Sequence, residues 1–314
     1  MLQSRKVLRT YGRRLEKISF LLPGLCGVTV FFFLPFADVI RRSFVQTISG
    51  KFCGFANYRM VIQNSAFQLA VKNTVRFLLV CLPLLLLISL ILAIIVNALW
   101  TALEKKQKAD FTLRTIKTAY LLPMAIPAAS VVLLWKLMFD RQGFVNGVCH
   151  MLGLQGVDWM NTQAAFVVLV FSYIWKNLGY TMVLWLAGLS SVSPAIYEAA
   201  KVDGAGSWTR FFKITLPLIR PMIFTIVILS FLNSFKVFRE AYLVAGNYPQ
   251  EDMYLLQHLF NNWFLDLSVD KMAAGSVLMM LVIGTAVIFS FFLITCAPFF
   301  GFRLCVLRDF QPLD

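Results

Sequence analysis

Six apolar runs dominate this chain and leave it few folds other than a bundle of membrane helices. They are Ile18–Ile40, Phe77–Leu99, Ala119–Met138, Ala164–Ala187, Met222–Phe238 and Met272–Phe299. A helix needs about 20 apolar residues to cross the hydrocarbon layer, with about 17–25 usual, and each run meets that length. Composition agrees: 59% of residues are hydrophobic and 14% charged, against about 45–50% and about 25% in a soluble domain. The predicted fold class is an all-α integral membrane protein with six transmembrane helices. One membrane domain uses the 314 residues and leaves no soluble domain of about 100 residues or more.

The basic segment before the first run (Arg5, Lys6, Arg9, Arg13, Arg14, Lys17) raises the question of a signal peptide. The run is too long for that, holds Pro23 and Pro35, and lacks a small-x-small cleavage site, so it reads as an uncleaved span. Alternate loops carry seventeen and nine Lys and Arg residues. The richer side is cytoplasmic, which puts both termini and the loop at 190–221 in the cytosol. The organisation is then a cytoplasmic N-terminal tail (1–17), a six-helix domain (18–299) and a cytoplasmic C-terminal tail (300–314). Pro23, Pro35, Pro83, Pro123 and Pro127 lie within or near spans, where proline kinks a helix and neighbours re-satisfy the freed carbonyl.

The net charge of +14 follows from this orientation bias rather than from nucleic-acid binding. Six cysteines show no paired metal spacing; Cys26, Cys81 and Cys296 fall in apolar runs as small core residues, and a Cys53–Cys149 disulfide is allowed but not required. The two histidines, His150 and His258, are too far apart in sequence to suggest a metal or catalytic set. An intramembrane enzyme calls for Ser/His, Asp/Asp or His-x-x-x-His groups at membrane depth, and none is present. No metal site is expected.

The cytoplasmic loop is the polar feature with the most local design. Ser193 is placed to cap a helix, Pro194 suits its first turn and Gly204 its end. Ser207 suits the cap of a second helix running to Leu216, before Pro217. Ala199 and Ala200 thin one face for close approach by another backbone, and Glu198 beside them is a charge ready for a Lys or Arg partner. Asp203 ends its helix where the macrodipole disfavours an anion by about 0.3–1 kcal/mol, which points to a role such as capping the next turn. Docking to a soluble partner fits this loop better than lying on lipid, although Lys201, Arg210 and Lys213 partly suit a lipid surface.

The spacing Glu198-Ala199-Ala200, Asp203-Gly204-Ala205, Ser207, Phe211, Ile214 and Leu216-Pro217 resembles the EAA loop of binding-protein-dependent ABC importer permeases. Gly54-Phe55-Ala56-Asn57-Tyr58, Phe67, Asn73-Thr74, Gly143 with Asn146, Trp159, Trp175, Gly179 and Ala187-Gly188-Leu189 are similar to the sugar and oligosaccharide (maltose-type) branch. The resemblance implies that the loop is a coupling helix–turn–helix seated on a cytoplasmic ATPase. It implies as partners a second related permease, two ATPase subunits and an external solute-binding protein, in a bacterial cell membrane. The cargo it implies is a carbohydrate, an oligosaccharide in particular; the alternative is the same architecture carrying a polyamine, osmolyte or phosphate ester. ATP and magnesium would serve the ATPases, because this chain has no G-x-x-x-x-G-K-[ST] loop and binds no cofactor of its own. One departure stands at 244–249, where Val-Ala-Gly-Asn-Tyr-Pro replaces the Thr-x-Gly-Gly-Pro turn of many sugar permeases.

Polar groups inside the runs mark a candidate substrate path. Lys176 and Asn177 fall mid-way along the fourth run, with Tyr180 and Thr181 a turn further on. A mid-span Lys costs about 2.5–3.5 kcal/mol on insertion scales, so Lys176 is expected to face protein or a water-filled path. Its expected counterpart is a carbonyl, a residue of the second permease or the substrate, which makes an acidic or phosphorylated sugar one expectation. Asn233, Ser234 and Lys236 form a second cluster in the fifth run. Interhelical hydrogen bonding, worth about 0.6 kcal/mol each on average, is the structural alternative for both. Lys136 lies near a span end and snorkels.

Overall fold

The apolar runs become helices in the computed structural model, which describes residues 21–104, 109–237, 239, 241–242 and 249–306. In chain order these are α1 (Leu21–Ser43), α2 (Ala56–Gln63), α3 (Ser65–Glu104), α4 (Ala109–Ala125), α5 (Ala128–Met138) and α6 (Phe144–Met151). After them come α7 (Ala164–Ser190), α8 (Pro194–Val202), α9 (Ser207–Leu218), α10 (Arg220–Ser234), α11 (Leu256–Leu265) and α12 (Val269–Val306). Among the described residues the sole extended pairing is an isolated bridge between Val45 and Phe52. The N-terminal tail, the departure at 244–248 and residues 307–314 lie outside the described residues.

Four helices are long and apolar enough to cross a bilayer unbroken: Leu21–Ser43, Ser65–Trp100, Ala164–Ser190 and Val269–Phe292. The third run is bent rather than straight, and the fifth follows a bend at Ile219. Thr118–Ala125 meets Ala128–Met138 at 94°, and Ser207–Leu218 meets Arg220–Ser234 at 73°. The span count is therefore four, or six if each bent pair crosses once. Pro127 causes the first break. It has an extended ψ of 141° at the N-cap of α5, and its ring disfavours helix at Ile126 before it. Pro83 and Pro123, by contrast, sit inside continuous helices.

Two π-helical segments share one arrangement. Thr29–Phe33 in α1 ends two residues before Pro35, and Phe211–Thr215 in α9 ends two residues before Pro217. In each the amide just before the proline reaches back five residues, Leu34 to Thr29 and Leu216 to Phe211. A proline ring clashes with the carbonyl four residues earlier, and a widened turn relieves that clash. The helix expected to stop before Pro217 therefore continues through it and ends at Leu218, with the bend at Ile219.

The chain divides into two compact units. The first, holding residues 21–64 and 263–282 of those described, is clamped around the end of α1. Asn57 donates to the carbonyls of Ser43 and Val45 at 3.1 Å each, and the Tyr58 hydroxyl meets Ser43 Oγ at 2.6 Å. Phe44 packs against Phe52, Phe55 and Tyr58. The Thr47 amide and hydroxyl both bond Asp270.

The second unit, residues 65–262 and 283–306, is organised on the α3–α7 pair. Ala70, Phe77, Cys81, Leu85, Ser89, Ala93 and Val96 form one buried stripe along α3. The upper part packs against Ala165, Phe166, Leu169 and Tyr173 of α7, the lower against Met182, Trp185, Leu186 and Leu189. Two polar ties cross the apolar contacts: Trp185 Nε1 donates to Ser89 Oγ at 3.1 Å, and the Tyr173 hydroxyl to the Ser230 carbonyl at 3.2 Å. Cys53 and Cys149 are free thiols.

Candidate functional site

The loop between α7 and α10 is built by local rules. Ser193 takes the extended N-cap backbone and Pro194 starts α8, although the Ser193 hydroxyl makes no capping bond. At the other end Gly204 has φ +76°, a conformation glycine adopts at no steric cost. Its amide donates to Lys201 O at 3.1 Å and the Ala205 amide to Ala200 O at 2.9 Å. Together these bonds make a Schellman closure that satisfies the last carbonyls of α8. Gly206, with ψ 164°, caps α9, so Ser207 is its first residue rather than its cap. The Ser207 hydroxyl instead accepts from Arg210 at 3.1 Å. The two short helices are tied by Tyr197 and Thr215, whose hydroxyls lie 2.9 Å apart.

What this knuckle offers outward is specific. Ala200 is buried, while Glu198, Ala199 and Asp203 are exposed and Ala205 half-buried. Neither Glu198 nor Asp203 makes a side-chain bond or ion pair among the described residues. Asp203 thus does not cap the following turn, contrary to expectation, and both carboxylates remain available to a partner. Trp208 and Phe212 are exposed and stacked, with ring centroids 5.7 Å apart. Phe211, Ile214, Leu216 and Pro217 are half-buried along the base of α9.

Asn177 donates to the Tyr173 carbonyl of its own helix at 2.9 Å, and the Thr181 hydroxyl to Asn177 O at 3.1 Å. Both spend their hydrogen bonds locally. Lys176 and Tyr180 are half-buried, and Lys176 and Asn233 interact with other groups of the chain. Ser234 is buried, bonds Phe231 O at 2.5 Å, and lines a crevice with Thr74, Phe77, Leu78, Phe235 and Gln257. The Lys236 side chain lies outside the described residues.

Three buried asparagines, which in the sequence are family matches alone, turn out to be backbone clamps. Asn57 is described above. Asn73 donates to the carbonyls of Glu251 and Tyr254 at 2.5 and 3.1 Å, while Thr74 Oγ1 accepts from the Leu256 amide at 3.0 Å. Arg76 adds a 3.2 Å ion pair to Asp252 and lies 4.3 Å over the Phe166 ring. Asn146 donates to Asp140 O, Arg141 O and Val157 O, and accepts from the Val157 amide and Trp159 Nε1, all within 3.1 Å. Beyond it Arg141 holds Asp158 at 2.6 Å and keeps that carboxyl below its ordinary range. For two of the three the signal that could have found them is an Asn three residues after a Gly in a loop between apolar runs, Gly54/Asn57 and Gly143/Asn146; Asn73 has no such mark.

With this architecture in view, residues 95–296 match the family of binding-protein-dependent transport system inner membrane components. The chain belongs to this family. It is 30% identical over 269 residues to the sulfoquinovosyl glycerol transport system permease of Agrobacterium fabrum, covering 82% of this chain and 83% of that one. It is 32% identical over 244 residues to the trehalose/maltose permease of Thermococcus litoralis, covering 75% and 79%. A third relative, the sn-glycerol-3-phosphate permease of Yersinia pestis, is 30% identical over 280 residues, covering 85% and 90%. A crystal structure of a bacterial ABC transporter that imports the acidic polysaccharide alginate shares the fold, with TM-score 0.75 at 23% identity over 92% of this chain and 98% of that one. A bacterial alginate ABC transporter has also been seen in complex with a periplasmic protein that holds an alginate pentasaccharide. As a permease of this family the chain is the transmembrane component of an ABC importer, and ATP hydrolysis belongs to separate ATPase subunits.

Proposed function

We propose that the chain is one of two permease subunits of an ABC importer for a carbohydrate, with an oligosaccharide as the favoured cargo. A second, related permease completes the path through the bilayer. Two cytoplasmic ATPases hydrolyse ATP with magnesium, and an external solute-binding protein delivers the cargo. We read six spans, the fifth beginning with α10, and both termini on the cytosolic side of a bacterial inner membrane, on the Lys and Arg bias of the alternate loops.

The observation that carries this reading is the closed helix–turn–helix of Pro194–Leu218, with Glu198 and Asp203 unspent on its outer side. A rigid knuckle transmits displacement where a flexible loop would absorb it. The ATPases therefore shift the balance between inward-open and outward-open arrangements by gripping one arrangement more tightly than the other. Glu198, Ala199, Ala200, Asp203, Gly204, Ala205, Ser207, Phe211, Ile214, Leu216 and Pro217 form the coupling element. Lys176, Asn177, Tyr180, Asn233, Ser234 and Lys236 are the candidate path residues, among which Ser234 has the support of the crevice it lines.

Relatives named for trehalose/maltose, lactose and sulfoquinovosyl glycerol support the carbohydrate reading. Relatives named for sn-glycerol-3-phosphate support a phosphate ester as the second reading. The test is reconstitution of the whole importer in liposomes with uptake measured for neutral oligosaccharides, sulfonated sugars and glycerol phosphates. ATP-dependent uptake of a glycan is the expected result. Uptake by the purified chain alone, without nucleotide or companion subunits, overturns the assignment.

A further inference from the structure

Between α5 and α7 the chain makes a compact loop whose core and surface have opposite chemistry from the usual. Its interior is polar: Asn146 is 1% exposed with its bonds satisfied. Its exterior is apolar. Phe144 is 69% exposed, Met151 89% and Leu152 71%, with Val148 and Leu154 exposed beside them. The helical positions 144, 148, 151 and 152 follow an i, i+4, i+7, i+8 pattern, which is one continuous face.

The geometry points to this face of α6 lying in the outer boundary of the bilayer, with its side chains among the first carbons of the lipid acyl chains. Three observations select lipid over a protein occupant. First, α6 starts at the end of α5, the second half of the bent apolar pair Thr118–Ala125 and Ala128–Met138. Gly143 is pressed so tightly on the last turn of α5 that a Cβ there would meet the carbonyls of Leu137 and Met138 at 2.5 and 2.6 Å. Leu133, Leu134 and Leu137 of that helix are themselves exposed, so the apolar face of α6 continues the stripe that a span presents to hydrocarbon. Second, residues 142–156 contain no Asp, Glu, Lys or Arg. At the edge of the face Arg141 and Asp158 pair with one another, and Asp140 is exposed beside them. The charge is thus gathered at one end, whereas a docking surface for a soluble protein carries a polar, charged rim all round its apolar centre. Third, Asn146 closes the loop on itself and satisfies the carbonyls of Asp140, Arg141 and Val157, which lowers the polar cost of seating the outer face at the boundary.

The absence of basic residues makes a further distinction. Interfacial helices that depend on anionic lipid present Lys and Arg on the polar face. This one does not, so its seating is independent of headgroup charge. The inference concerns the outer face of a spanning pair and stands whether the cargo is a carbohydrate or a phosphate ester.

The experiment places a photo-reactive benzoylphenylalanine at Met151 and, separately, at Phe144. The large exposure at 151 and the aromatic-for-aromatic change at 144 keep the fold. The complete importer is assembled in phosphatidylcholine nanodiscs with its solute-binding protein, illuminated, and its adducts identified by mass spectrometry. Lipid adducts at both positions are expected, unchanged when binding protein is added and equal to within about twofold when phosphatidylglycerol is mixed in. Adducts to the binding protein, or no lipid adduct at either position, overturn the inference. A strict requirement for phosphatidylglycerol overturns the uncharged-face argument on which it rests.

Discussion

Gly179 of α7 faces Tyr120 of α4 so closely that a Cβ built on it would lie 1.7 Å from the Tyr120 carbonyl oxygen. The obstacle is backbone, so no rotamer change relieves it. Gly179→Ala must push α4 off α7, and overpacking of this kind costs about 1–3 kcal/mol. The thermal midpoint of the purified importer should fall accordingly. Gly147→Ala is the control, since nothing lies within 4 Å of a Cβ there. That change should be neutral or stabilise by up to about 1 kcal/mol. Equal behaviour of the two variants would remove the close-approach explanation.

Asn146 closes the loop that carries α6, and its replacement should be costly for a countable reason. Asn146→Leu leaves the Val157 amide and the Trp159 indole N–H without their acceptor. Both bonds are part-buried, so a loss at the lower end, about 1–2 kcal/mol in all, is expected. Asn146→Asp keeps the acceptor and loses the three donated bonds, so it should destabilise by placing a carboxylate against carbonyls. Chemical denaturation of the detergent-solubilised chain, followed by tryptophan fluorescence, reads both.

The spans are legible in the sequence because hydropathy alone separates them, yet hydropathy does not say which face of a span is buried. In α3 the buried stripe includes the small residues Ala70, Cys81, Ser89 and Ala93, while Leu79, Leu87 and Ile91 are exposed. Small residues let helices approach, so size is the readable signal there, and a uniformly apolar run hides it. The N-terminal extension of α3 over 65–76 is not legible, because Lys72, Asn73 and Arg76 look like loop residues. The reason this stretch is helical is the distant segment at 251–256 that Asn73, Thr74 and Arg76 hold. In the coupling loop Pro194 and Gly204 announce themselves through backbone preference. The continuation through Pro217 does not, because it depends on a π turn that no local propensity signals.

His258 supplies a pH dependence with a definite sign. It is fully buried, its Nδ1 accepts from the Leu255 amide at 3.2 Å, and burial lowers its imidazole from 6.5 to about 4. The folded protein thus prefers the neutral ring. The stabilisation is complete above the unfolded value and drains away as pH falls from 6.5 toward 4. The amount at stake is roughly 3 kcal/mol, because each tenfold change in proton affinity is worth about 1.4 kcal/mol. His258→Gln keeps an acceptor in reach of Leu255 but does not titrate, and its stability should be flatter across that window. A variant with the same steep acid loss would assign the effect to other groups.

Coupling should fail without loss of insertion when the α8–α9 turn is altered. Gly204 has φ +76° and donates to Lys201 O; proline fixes φ near about −65° and has no N–H, so Gly204→Pro abolishes the closure on both counts. Glu198→Lys reverses an exposed charge that has no partner within the described residues, so under the proposed coupling role its effect is expected in the contact with the ATPase. Tyr197→Phe removes the 2.9 Å tie to Thr215 and should cost about 1 kcal/mol, leaving a looser knuckle. The measurement is the ratio of solute imported to ATP hydrolysed in liposomes, with membrane insertion verified in parallel. The ratio should fall most for Gly204→Pro, strongly for Glu198→Lys and modestly for Tyr197→Phe. Full transport by Glu198→Lys would exclude the carboxylate from the contact and leave the exposed Trp208–Phe212 stack as the gripping surface.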